Sequence, residues 1–255
     1  MSNTSRPRRL RAVTYAVILC CALGVLAATP VLATSTILRT ELGILLTGAT
    51  SRDATIAESP EFTAEVITGL RLDPAWIQDA AQATGISERA LAAYTAATLT
   101  IQHEQPECNI GWNTLAAIGY VETRHGTIYG SALDDDGVAV PAITGPALDG
   151  GQFKGIPDSD NGALDGDTTW DRAVGPMQFI PQSWEIYGRD GNGDGIADPQ
   201  NIDDAALSAA ALLCARGGDL TKTTNWIRAV HAYNQSIEYN HKVVDVANYY
   251  ASATG

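Results

Sequence analysis

From Asp73 to Gly126 the apolar residues recur every three or four positions, and from residue 127 to 170 that recurrence stops. The break constrains the fold more than any one residue does, because a period of three to four marks helices with a buried face. Asp73-Pro74 reads as an N-cap with a first-turn proline, and Gly85 as a stop. Ser87 with Glu88 opens "ERALAAYTAATLTIQHE", an amphipathic helix ending before Pro106, and a third helix runs through "LAAIGYVETRHG" to Gly126. Helices resume with "QSWEIYG", "DDAALSAAALLCARGG", "TTNWIRAVHAY" and "SIEYNHKVVDVANYYASA". Between them, residues 127–170 hold many Gly and Asp residues and short apolar scraps such as "VAVPAI". A loop this long inside a compact domain is expected to be a lid or binding element, so hairpin-like pieces flanking a cleft are predicted. The class is therefore mainly α with a small irregular or β portion, in one domain over residues 71–255.

The N-terminus carries a different signal. Arg6, Arg8, Arg9 and Arg11 precede the apolar run "AVTYAVILCCALGVLAA" and then "TPVLATS". Residues 1–33 fit a signal peptide cleaved near Ala33, and they fit equally an uncleaved membrane anchor. In both cases the basic flank stays in the cytoplasm and the rest of the chain is exported, touching the membrane through this segment alone. Residues 34–70 have no sustained period and read as a linker. The net charge is −13 despite those arginines. An acidic surface of this size argues against nucleic acid and against docking on anionic lipid. Cys108 and Cys214 are the cysteines of the exported part; in an oxidising compartment they suggest one disulfide, the alternative being two buried thiols. Closing so long a loop is worth about 4–5 kcal/mol in the chain-entropy picture.

Three short stretches carry chemistry. Leu115, Ile118, Gly119 and Glu122 fall on one helical face, which places a carboxyl among apolar groups. Burial penalises the anion, and a glutamate so placed becomes a general acid usable near neutral pH. The plainer reading is a helix-end glutamate paired with Arg124 or a lysine. "AVGPMQFIPQSW", residues 173–184, sets the planar amide of Gln178 beside Met177, Phe179 and Trp184, which suits sugar hydroxyls and N-acetyl groups; taken singly, it is a core-packing turn. "AYN", residues 232–234, ends a helix with Tyr233 and Asn234.

In order and wording, "AAIGYVETRHG", "AVGPMQFIPQSW" and "HAYN" together resemble the membrane-associated lytic murein transglycosylases of the MltB type, in their actinobacterial form. The similarity runs from about residue 73 to the C-terminus and takes in "LDGDTTWDRAVGPMQF" and "DGNGDGIADPQNIDDAALSAAALLC". It implies a lysozyme-like α+β catalytic domain that cleaves the MurNAc-GlcNAc bond of peptidoglycan strands and leaves 1,6-anhydro ends. By position Glu122 matches the family's catalytic acid, and Gln178, Tyr233 and Asn234 match residues that bind or orient the glycan. Met177 and Phe179 are expected beside them. Thr123 stands where the family usually has Ser, and the hydroxyl is kept. A muramidase using water on the same bond, with Asp134, Asp135 or Asp136 as second carboxyl, is the alternative. A non-catalytic peptidoglycan-binding protein is another, although a pure binder has no use for a desolvated acid. Proteins of cell-wall growth or division are expected partners.

"DGNGDGIADPQNIDDA" places Asp190, Asn192, Asp194 and Gly195 at positions 1, 3, 5 and 6 of an EF-hand loop, with the Ile196 carbonyl at position 7. Position 12 is Asn201 rather than glutamate. The family resemblance implies a longer EF-like loop, over residues 190–204, in which Asp204 closes the ring around a structural Ca2+. The plainer reading is an acidic turn. No cofactor is expected for catalysis.

Overall fold

The computed structural model describes residues 73–151 and 154–254. The N-terminal segment, the linker, Gln152 and Phe153 lie outside the described residues. Seven α-helices are present among them: α1 (Pro74–Thr84), α2 (Glu88–Glu104), α3 (Trp112–Thr123), α4 (Pro181–Tyr187), α5 (Ile202–Gly217), α6 (Thr223–Tyr233) and α7 (Ile237–Thr254). The mainly α expectation holds, and local chemistry explains the boundaries. Asp73 caps α1 by accepting the Ala75 N–H, and Gly85 ends it in the left-handed region; Ser87 caps α2 through the Ala90 N–H. Asn201 caps α5, whose first turn holds Asp203 and Asp204 where acidic groups face the positive end of the helix dipole.

The helix carrying Glu122 differs from expectation in two ways. It stops at Thr123, three residues before Gly126, because Arg124, His125 and Gly126 all take positive φ. It is also buried nearly all round, where the residue pattern predicted one buried face. α3 is thus a central helix, packed against α7 and α2, while α2 packs on α5 and α5 on α6. A single core cluster runs through these helices. Gly119 shows how tight it is: a Cβ there would lie 2.0 Å from the Tyr94 hydroxyl.

Residues 127–174 form two small antiparallel sheets. β1 (Ala132–Leu133) pairs with β2 (Ala139–Val140), and β3 (Thr144–Ala147) pairs with β4 (Arg172–Val174) across a long loop. Arg89 on α2 pins the first hairpin through the carbonyls of Asp135 and Asp136 and an ion pair with Asp203. Cys108 and Cys214 form a disulfide, Cα–Cα 5.5 Å, tying the turn after α2 to α5. No helix among the described residues is long and apolar enough to cross a membrane.

Candidate active site

Glu122 lies in the last turn of α3 and is 7% exposed. Burial pushes its carboxyl up to about 8, and a hydrogen bond from the Tyr239 hydroxyl to Oε1, 2.7 Å, pulls the other way. The pairing with Arg124 is not what the structure shows: that guanidinium lies over the Tyr120 ring, 5.4 Å from its centroid. A carboxyl in this setting holds its proton at neutral pH and can give it to a bound group.

The turn at residues 175–178 stands against the end of α3. Thr123 donates its hydroxyl hydrogen to the Pro176 carbonyl and accepts from the Gly126 N–H, so this fully buried side chain is spent on joining the two segments. Gly175 is required twice over, by a φ of 76° and by the Pro199 carbonyl oxygen 1.7 Å from where a Cβ would sit. Gln178 also has positive φ, 51°. Its Nε2 donates to the Gly175 carbonyl, 3.1 Å, while its buried Oε1 has no hydrogen-bond partner among the described residues. Tyr233 donates from its hydroxyl to the Met177 carbonyl, 2.7 Å, fastening the end of α6 to this turn. The next residue, Asn234, accepts the Ser236 N–H on Oδ1, and its buried Nδ2 has no partner among the described residues.

The segments carrying Glu122, Gln178, Tyr233 and Asn234 therefore adjoin one another through these contacts. Met177 and Phe179 correct the sequence reading. Both are buried in the helical core, Phe179 edge-on to Trp184 and Tyr233, so neither offers a stacking face. An apolar residue in a turn reads alike whether it faces a groove or the core. Thr123 is likewise placed to hold the turn and not to touch a ligand.

Three functional groups escaped the sequence reading. Tyr239 is one, although a tyrosine on the apolar face of α7 needs a partner for its hydroxyl. Asn240 is another, donating to the carbonyls of Asn234 and Ser236 and so fixing the loop after α6. The third is His125, buried between the hydroxyls of Tyr94, 3.0 Å, and Tyr250, 2.9 Å. Burial holds its imidazole down to about 4, which keeps it neutral, and the trio ties the turn after Glu122 to α2 and α7.

In the 190–204 loop the carboxylates and amide carbonyl cap the loop's own backbone. Asp190 accepts from Gly193 and Gly195, Asn192 from Asp194, and Asp194 from Ile196. Asp204 is buried and accepts from Gly191, Asn192 and Asp198; burial raises its carboxyl, and the charge of Asp190 adds to this. Asp203 is engaged by Arg89, which leaves Asp204 as the acid facing the loop. Elsewhere, Asp158, Asp160 and Asp171 bring carboxylate oxygens within 4.8 Å of one another, and these side chains accept the N–H groups of Ser159, Gly162 and Leu164.

Residues 159–242 match the family model described as the transglycosylase SLT domain. The match covers Gln178, Tyr233, Asn234 and Tyr239 and begins after Glu122. No curated protein matches the chain. Among solved structures, the Escherichia coli lytic transglycosylase Slt35 in complex with calcium is similar at 14% identity, over 85% of this chain and 88% of that one, with a TM-score of 0.44. Slt35 in complex with bulgecin A is similar at the same identity and coverage, with a TM-score of 0.39.

Proposed function

We propose that the protein is a peptidoglycan lytic transglycosylase that cleaves the MurNAc-GlcNAc bond with Glu122 as its one acid and base. The observation carrying this reading is a buried carboxyl at the end of α3, bonded by the Tyr239 hydroxyl, which burial pushes up to about 8. The match of residues 159–242 to the transglycosylase SLT domain supports the substrate class. Glu122 gives its proton to the glycosidic oxygen, the bond to carbon 1 breaks, and positive charge develops on the muramyl ring. Tyr239, already bonded to Oε1, steadies the carboxylate so formed. The carboxylate then takes the proton of the same sugar's 6-hydroxyl, whose oxygen bonds to carbon 1. Glu122 regains its proton and no water is consumed.

One feature favours this closure over hydrolysis. Burial raises the Glu122 carboxyl and Tyr239 lowers it, with no second carboxylate contributing among the described residues. Substrate orientation falls to two unpartnered amide groups. Among the described residues Gln178 Oε1 lacks a donor and Asn234 Nδ2 lacks an acceptor, and an N-acetyl group offers one of each.

The 190–204 loop would hold calcium through Asp190, Asn192, Asp194, the Ile196 carbonyl and Asp204, an all-oxygen set that suits a hard cation. The ion would supply structural support there. The protein acts outside the cytoplasm, on glycan strands of the cell wall. Incubating the purified protein with glycan strands and weighing the products tests the reading: 1,6-anhydro ends are expected, while reducing ends would assign hydrolysis and intact strands would leave only binding.

A further inference from the structure

Directly after Glu122 the chain leaves α3 through Arg124, His125 and Gly126, with φ of 52°, 61° and 80°. Left-handed backbone at two successive non-glycine residues is strained, and it persists where surrounding contacts over-determine it. The backbone bonds here are those of an ordinary helix end, His125 N–H to the Gly119 carbonyl and Arg124 N–H to that of Tyr120, both 3.0 Å. The His125 side chain adds two anchors. It is 8% exposed, with Nδ1 3.0 Å from the Tyr94 hydroxyl on α2 and Nε2 2.9 Å from the Tyr250 hydroxyl on α7. Helix α7 therefore grips this stretch twice: Tyr239 bonds Glu122, and Tyr250, about three turns further along the same face, bonds His125.

The two phenols dictate the charge of the ring. A neutral imidazole has one N–H and one bare nitrogen, so one phenol accepts from it and the other donates to it. A charged ring has two N–H groups, and the phenol that donates would be left with a buried hydrogen and no acceptor. Burial keeps both phenols protonated, so neither can offset an imidazolium. The remaining groups packed nearby do not help. The Tyr120 ring of α3 stands 5.8 Å from the His125 ring, and the Arg124 guanidinium over that tyrosine is a like charge. Burial alone holds the imidazole down, with no carboxylate contributing among the described residues.

We infer that His125 is a positioning residue for Glu122: its neutral ring, clamped between Tyr94 and Tyr250, holds the strained turn that fixes the carboxyl in its buried place, and protonating the ring releases that turn. The inference rests on the reading of Glu122 as the catalytic acid. It gives kcat/KM an acid limb of which Glu122 is not the source, because that carboxyl is already protonated there.

The test starts without turnover. In the full protein the Glu122 carboxyl carbon and the His125 ring are followed by NMR as pH is lowered from 7 to 3. The Glu122 signal should show an inflection at the His125 midpoint, near 4. His125→Gln keeps a donor and an acceptor but cannot take the proton, so this inflection should vanish. His125→Phe keeps the bulk and loses both bonds, and its Glu122 midpoint should drop from about 8 toward the ordinary 4.5 as the loosened helix end admits water. On glycan strands, His125→Phe should lower kcat on the order of ten- to a hundredfold with KM little changed, the signature of a misplaced catalytic group. His125→Gln should recover most of that loss and lack the acid limb. A Glu122 signal blind to His125 protonation, a Glu122 midpoint still near 8 in His125→Phe, or an acid limb surviving in His125→Gln would overturn the inference. If His125→Phe does not fold, the wild-type titration and His125→Gln decide. The NMR readings hold whether or not strands are cleaved, so a failure of the transglycosylase reading is seen separately, in the products.

Discussion

Glu122 owes its chemistry to two opposed influences, burial that favours the protonated form and Tyr239 that favours the anion. Their balance has a testable sign. Only the protonated enzyme can begin the reaction, so kcat/KM should fall as pH rises through about 8, the value to which burial brings the carboxyl. Tyr239→Phe removes the hydrogen bond that lowers it. The alkaline limb should then move up by roughly half to one pH unit, the worth of one hydrogen bond, while kcat drops because the transient carboxylate has lost its donor. A pH profile of the variant superposing on the wild type would show that Tyr239 does not act on Glu122. Nothing near Tyr239 in the sequence announces the contact, since the two residues lie 117 positions apart. A capping aspartate such as Asp73, by contrast, acts on the amide two residues away and was legible for that reason.

The elements around this carboxyl are held by close backbone approach. α3 can lie against α2 because Gly119 leaves room for the Tyr94 hydroxyl, which in turn bonds His125. Gly119→Ala should cost about 1–3 kcal/mol, as overpacking in a dense core does, and lower the melting temperature. An unchanged melting temperature would mean that α2 and α3 are less tightly joined than described. The 190–204 loop is a second such support, since the Pro199 carbonyl fills the space that Gly175 leaves, and Gln200 bonds both backbone groups of Ile143. If the loop takes calcium, adding it should raise the melting temperature and EGTA should reverse the gain; indifference to both would remove the metal. Helix periods and caps were readable because they depend on residues within a turn of each other. The burial of Met177 and Phe179 was not, because which side of a turn meets the core is decided by helices far away in the chain.

At the scale of the molecule, one core spans all seven helices, and a disulfide closes 106 positions of chain around α3. The site stands where the end of α3 meets α7, the 175–178 turn and the loop after α6, so no one element makes the carboxyl acidic or neutral. That property belongs to the assembled fold. It is measured most directly by following the Glu122 side-chain carboxyl carbon by NMR from pH 3 to 10, with Glu122→Gln identifying the signal. This group is expected to titrate near pH 8. A midpoint near 4.5, the ordinary glutamate value, would contradict it.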